Sequence, residues 1–153
     1  MAVRELIDRL RDASVEFELL AHPRTETAAA EAKALGLPSE EVAKTLVVRT
    51  STGYVRALVP ARERLDLHKV RAGLETEKAV LATEQELERD YAEFELGAVP
   101  PLGGRSDPVL VDPRLAEREW VTFEAGTHDE SVRVRSADLV TLANARVLDL
   151  CQD

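Results

Sequence analysis

Ala43-Lys44-Thr45-Leu46-Val47-Val48-Arg49-Thr50-Ser51-Thr52-Gly53-Tyr54-Val55-Arg56-Ala57-Leu58-Val59-Pro60 is the stretch from which the fold is read. Thr45 to Arg49 is β-branched and apolar, the composition of a strand. Ser51-Thr52-Gly53 is turn chemistry, and Tyr54 to Pro60 is a second strand-like run, so the pair reads as a hairpin. Upstream, Val3, Leu6, Ile7 and Leu10 recur at helical spacing and predict an amphipathic helix. Val15 to Leu19 alternates and predicts a short strand. His22-Pro23 must be extended, because the residue before proline avoids the α region. Thr25 or Thr27 then caps a helix over Ala28 to Leu35 that Gly36 closes and Pro38 stops. Ser39 is read as the N-cap of a further helical turn through Val42.

Downstream, Leu65 to Leu74 predicts a helix with a basic face, and Glu84 to Tyr91 another capped by Thr83. Strands follow at Val109 to Val111, Trp120 to Glu124 and Val132 to Arg135. A short helix begins at Ser136, and Arg146 to Leu150 adds a last strand. Strands and helices mixed without regular βαβ alternation predict a mixed-sheet α/β or α+β fold. No internal repeat or long polar linker divides the chain, so residues 1–153 are read as one domain.

The composition bounds the function. The chain has 153 residues with 20 Lys+Arg against 29 Asp+Glu, for a formal net charge of −9. Such a body does not coat nucleic acid non-specifically, since phosphate binding draws on Lys and Arg. The charge is uneven, however. Between Lys44 and Arg71 seven bases meet two acids, whereas between Glu75 and Glu95 eight acids meet two bases. A basic region on an acidic body admits an anionic ligand at one place and repels it elsewhere; a solvated, fluctuating face is the plainer alternative. Apolar runs are too short to span a bilayer. Met1 to Leu10 lacks a signal-peptide core, so a cytoplasmic protein without membrane partners is expected. The one cysteine, Cys151, excludes an intrachain disulfide and a Cys-rich zinc site, and reads as a packed small residue. His22, His68 and His128 show no metal-ligand spacing, so neither metal nor cofactor is expected.

Two features stand apart. Gly97-Ala98-Val99-Pro100-Pro101-Leu102-Gly103-Gly104 is stiffened by its prolines, while its glycines let the backbone approach a partner. It reads equally as a connector and as a ligand-facing loop. Lys44 stands at the junction between a helical turn and an apolar strand. From spacing alone it is a solvated strand-start lysine, although that position also suits an ammonium aimed into a cleft.

His22-Pro23-Arg24-Thr25-Glu26-Thr27-Ala28-Ala29, then Leu35-Gly36-Leu37-Pro38 and Glu41-Val42-Ala43-Lys44-Thr45-Leu46-Val47-Val48, resemble the YbaK/EbsC-type aminoacyl-tRNA deacylases, relatives of the editing domain of bacterial prolyl-tRNA synthetase. Gly97 and Pro101 fit that family's GxxxP loop. Gly126-Thr127-His128, Ser131-Val132-Arg133-Val134 and Ala137-Asp138-Leu139 resemble its closing segment. The likeness runs in order from His22 to Leu139. It implies a mixed, partly barrel-like sheet surrounded by helices, and an enzyme that releases a wrongly attached small amino acid from tRNA. Lys44 would hold the terminal ribose–phosphate or the ester, Gly97 would offer N–H groups to the developing oxyanion, and Pro101 would keep the loop in shape. His22, Thr45, Gly103, His128, Ser131 and Asp138 are the expected substrate-binding positions. Arg62, Arg64 and Lys69 are the candidates for the acceptor-end phosphates. Aminoacylated tRNA is the expected partner, presented by a synthetase or elongation factor. The same fold retained as a non-catalytic tRNA- or synthetase-binding module is the first alternative, and a hydrolase of another small ester or amide the second.

Overall fold

The computed structural model describes residues 2–153; Met1, the start of the N-terminal stretch read above, lies outside them. Among the described residues, eight strands form two sheets. The first has the order β1(Phe17–Ala21)-β7(Glu130–Arg135)-β6(Trp120–Thr127), antiparallel throughout. The second has the order β4(Ala79–Leu81)-β2(Ala43–Thr50)-β3(Gly53–Pro60)-β5(Val109–Val111)-β8(Arg146–Val147). The β2–β3 hairpin forms as expected, while β3–β5 and β5–β8 are parallel, so the sheet is mixed. A parallel bridge from Val42 to Thr122 links the sheets, which do not close into a barrel among the described residues.

The helices are α1(Ala2–Asp12), α2(Ala28–Leu35), α3(Leu67–Leu74), α4(Glu84–Asp90), α5(Pro113–Ala116) and α6(Ser136–Leu142). Leu6 and Leu10 of α1 pack with Phe123, Val132, Val134, Leu58 and Val109 in the largest core cluster. Burying each such side chain contributes roughly 1.5–3 kcal/mol. On the other face of the second sheet, Val55, Ala57 and Val59 pack with Val70, Leu110 and Leu150. β3 is therefore buried on both faces, which is why Val55 to Val59 lacks a polar alternation.

The helix ends follow local chemistry. Thr27, rather than Thr25, caps α2 through Ala30, and Gly36 closes it in the left-handed region at φ 68°. Thr83 and Glu86 form a reciprocal capping box on α4. Ser39 does not cap its turn: the Ser39–Glu41 3₁₀ turn follows Pro38, and the Ser39 hydroxyl donates to Glu40 instead. Two short elements, β4 and α5, were not expected. Asp112 caps α5 with Pro113 in its first turn, a start signal that a four-residue helix leaves too short to show by periodicity.

Candidate active site

β4 pairs only with Val48–Thr50, and the Val42–Thr122 bridge reaches β6 just before β2 begins, so Thr45 lies between the two pairings. The Val47 carbonyl accepts from Ala82 on the β4 side. In an antiparallel strand, residues of one parity direct both peptide groups the same way. Thr45 therefore presents its N–H and C=O to the same edge, beyond the point where β4 ends. A cavity of about 520 Å³ lies here. Lys44, Thr45 and Val47 of β2 line it, with Glu26 to Ala29 at the start of α2, Leu81 and Leu87, Gly97 and Val99, and Glu124 of β6.

Lys44 and Gly97, far apart in sequence, thus share one cavity. Lys44 is half-buried, and burial first, then the positive charge of Arg64, lowers its pKa from the ordinary lysine value. Gly97 is exposed, in the left-handed region at φ 85°, and its N–H makes no hydrogen bond among the described residues. The N–H groups of Ala28 and Ala29, in the first turn of α2, are likewise outside the helical ladder. Small side chains, Ala28, Ala29, Ala43 and Ala61, supply much of the wall.

A buried polar cluster stands behind this cavity. Glu124 pairs across the strands with Ser131, next to an irregularity of β6 between Glu124 and Thr127. Ser131 is fully buried; its hydroxyl lies 2.5 Å from Glu31 Oε2 and 2.9 Å from His22 Nε2. His22 Nδ1 lies 2.8 Å from the Pro23 carbonyl. Burial, partly offset by the Ser131 bond, pushes the Glu31 carboxyl up to about 8. His128 Nδ1 lies 2.9 Å from Glu124 Oε2 and its Nε2 lies 2.7 Å from the Leu96 carbonyl. The ring also packs on Gly97, where a Cβ would sit 3.5 Å from Cε1.

The expected site residues therefore divide. Lys44, Thr45 and Gly97 line the cavity, and His128, His22 and Ser131 support it from behind. Pro101 and Gly103 are buried away from it, where the Gly103 carbonyl accepts from Arg56. Asp138 lies in the first turn of α6, outside the cavity lining. Arg62 and Arg64 are exposed, whereas Lys69 is held by Asp149, Asp153 and the Cys151 carbonyl. Cys151 is buried, and burial pushes its thiol up to about 12, unsuited to a nucleophile. Among the described residues no cluster of three or more His, Cys, Asp or Glu is placed to hold a metal, and no helix is long and apolar enough to cross a membrane.

Glu124 and Glu31 were missed. Glu31 had a signal: with Ala28 and Ala32 it occupies the buried i, i+3, i+4 stripe of α2. Glu124 had none, because only the folded arrangement shows that β6 is covered on both faces.

The chain is similar to known editing proteins in sequence and fold. The family model for the aminoacyl-tRNA editing domain matches residues 22–142. The Multifunctional Ser/Thr-tRNA deacylase ProXp-y of Escherichia coli strain K12 is 26% identical over 152 residues, covering 95% of this chain and 90% of that protein. A proline–tRNA ligase of Fervidobacterium nodosum is 30% identical over 90 residues, covering 59% of this chain but only 16% of the ligase. A crystal structure described as a candidate trans-editing enzyme for prolyl-tRNA synthetase superposes with a TM-score of 0.89 at 26% identity, covering 99% of this chain and 98% of that one. The chain belongs to the aminoacyl-tRNA editing domain family. It is a trans-editing aminoacyl-tRNA deacylase, a hydrolase that acts on aminoacylated tRNA.

Proposed function

We propose that this deacylation takes place in the cavity between β2 and the Gly97 bend, with Lys44 and Gly97 as its principal groups. The observation that carries the assignment is their convergence on one small-walled cavity. The Lys44 ammonium holds the terminal ribose–phosphate or the ester oxygen, a role suited to a compact cation. The Gly97 N–H, with the first-turn N–H groups of α2, receives the negative charge that grows on the carbonyl oxygen. Water adds to the ester carbon, the bond to the ribose oxygen breaks, and that oxygen takes up the proton. The peptide edge of Thr45 offers one donor and one acceptor for positioning. Positioning and electrostatics suffice for so activated an ester, so a nucleophilic triad is not required.

Alanine walls favour a small amino acid, and the Escherichia coli relative is named for serine and threonine. A synthetase pocket gains only about 1–3 kcal/mol from one methylene, which is why such errors arise and need a second site. Exposed Arg62 and Arg64 supply the phosphate contacts, in the cytoplasm, with a synthetase or elongation factor presenting the tRNA to an otherwise acidic body.

Release of labelled amino acid from a panel of mischarged tRNAs tests the assignment. Lys44→Ala is expected to lower kcat by roughly 10²–10³-fold while the fold persists. Turnover unaffected by that change would move the active site elsewhere. Wild-type protein that binds tRNA yet releases nothing from any member of the panel would be a docking module.

A further inference from the structure

The scheme above leaves the Glu124–His128 pair without a task. The Glu124 side chain is only 10% exposed, lines the cavity, and has its Oε2 fully buried without a hydrogen-bond partner among the described residues. That oxygen lies 2.9 Å from His128 Nδ1. His128 Nε2 faces the Leu96 carbonyl, which can only accept, so Nε2 carries hydrogen. His128 Nδ1 is likewise buried without a hydrogen-bond partner among the described residues, so the two atoms lie close with no bond aligned between them. Burial first, then the charges of Glu95 and Glu26, raises Glu124 to about 8, with Arg24 opposing. Arg24 itself is engaged by Glu95 and Glu26, and Glu31 stands deeper, beyond Ser131.

An aminoacyl ester brings one cation of its own, the α-ammonium on the carbon next to the ester carbonyl. Lys44 repels it, and the alanine walls cannot solvate it. Glu26 also lines the cavity, but its side chain is 71% exposed and paired with Arg24. Glu124 is the buried carboxyl that remains.

We propose that Glu124 is the residue that recognises the α-ammonium group of the aminoacyl ester, with His128 as the positioning residue packed beside its carboxyl. As the ammonium enters, Glu124 meets it as a carboxylate, and the proton of the resting carboxyl passes to solvent. On release the carboxyl takes a proton back from solvent. Because the same imidazole packs on Gly97 and bonds Leu96, an amine seated at Glu124 directs the ester carbonyl toward the Gly97 N–H. The proposal rests on the deacylase assignment of this cavity.

The test compares seryl-tRNA with N-acetylseryl-tRNA, each rate divided by uncatalysed hydrolysis, for wild type, Glu124→Gln and Lys44→Ala. Wild type is expected to prefer the free amine by about 10- to 100-fold, the range for a hydrogen bond to a charged group. Glu124→Gln, which keeps a polar contact to His128, is expected to lose that preference by slowing only the free-amine substrate. Lys44→Ala is expected to slow both and keep the ratio. Glu124→Met, of similar length and without polarity, gives a second reading should the amide disturb folding; thermal melts monitor both variants. The proposal is overturned if Glu124→Gln and Glu124→Met slow both substrates alike. It is equally overturned if they alter only the preference for seryl- over alanyl-tRNA. Absence of turnover by wild type on either free-amine substrate would instead remove the deacylase assignment, and this proposal with it.

Discussion

Arg56 Nη2 donates to the Gly103 carbonyl over 2.7 Å, tying the middle of the second sheet to the far end of the bend that starts at Gly97. The same guanidinium reaches the Pro100 carbonyl at 2.9 Å, the Arg105 carbonyl at 3.1 Å and Asp107 at 3.1 Å, and lies over the Tyr91 ring. It is 1% exposed. The stiffness that two prolines promise is thus completed by one buried cation, whose planar fork matches three carbonyls at once. Pro101 and Gly103, read from sequence as site residues, are the part of the loop it anchors. We infer that their contribution to catalysis is indirect.

Arg56→Lys should expose this dependence. A single ammonium cannot reproduce the fork, and buried carbonyls are left unsatisfied, at a cost of about 2–4 kcal/mol. The melting temperature is expected to fall, and kcat with it, as the Gly97 N–H loses its aim. Wild-type stability and wild-type kcat together would show that the prolines alone hold the bend.

Glu31 gives a pH signature separable from catalysis. Its carboxyl is neutral in the fold up to about 8, against an ordinary carboxylate value of 4.5. Because the folded value is raised, its stabilising share is complete below about 4.5 and is lost as pH rises through about 8. Glu31→Gln keeps the hydrogen-bonding shape without the titration. Relative to wild type, the variant should gain stability steadily between pH 4.5 and pH 8, by on the order of 3 kcal/mol at the alkaline end. Urea midpoints at several pH values check this, and a gap constant with pH would contradict it.

Much of this architecture was legible because local chemistry and tertiary packing agree in it. The β2–β3 hairpin, the Thr27–Gly36 frame of α2 and the capping box of α4 are each written in a few adjacent residues. Lys44 and Gly97 were legible only through resemblance, since spacing cannot say that a strand and a distant bend enclose one space. Glu124 was illegible for a different reason. A carboxylate on a strand normally marks the solvent face, and here β6 has none to offer: Thr122 is fully buried and Glu124 nearly so. Lys69 failed in the opposite sense. Its charge belonged to a basic run in sequence, but Asp149 and Asp153 come round from the C-terminal segment to neutralise it.

That difference among the basic residues fixes the last prediction. We propose that Arg62 and Arg64, exposed and without an ion-pair partner among the described residues, meet tRNA phosphates, whereas Lys69 is already occupied. Each phosphate contact removed should lower the slope of log affinity against log salt by roughly 0.7–0.9. Arg62→Ala and Arg64→Ala are expected to do so, and Lys69→Ala to leave affinity and slope unchanged. Arg64 has a second effect, because its charge helps lower the Lys44 pKa. A lowered lysine loses its charge earlier as pH rises, so activity should decline sooner on the alkaline side than for an ordinary lysine. Removing the neighbouring cation lets Lys44 hold its proton longer. The alkaline limb of kcat/KM should therefore move to higher pH in Arg64→Ala and stay in place in Arg62→Ala. A limb that ignores Arg64 would mean that the titrating group is not Lys44.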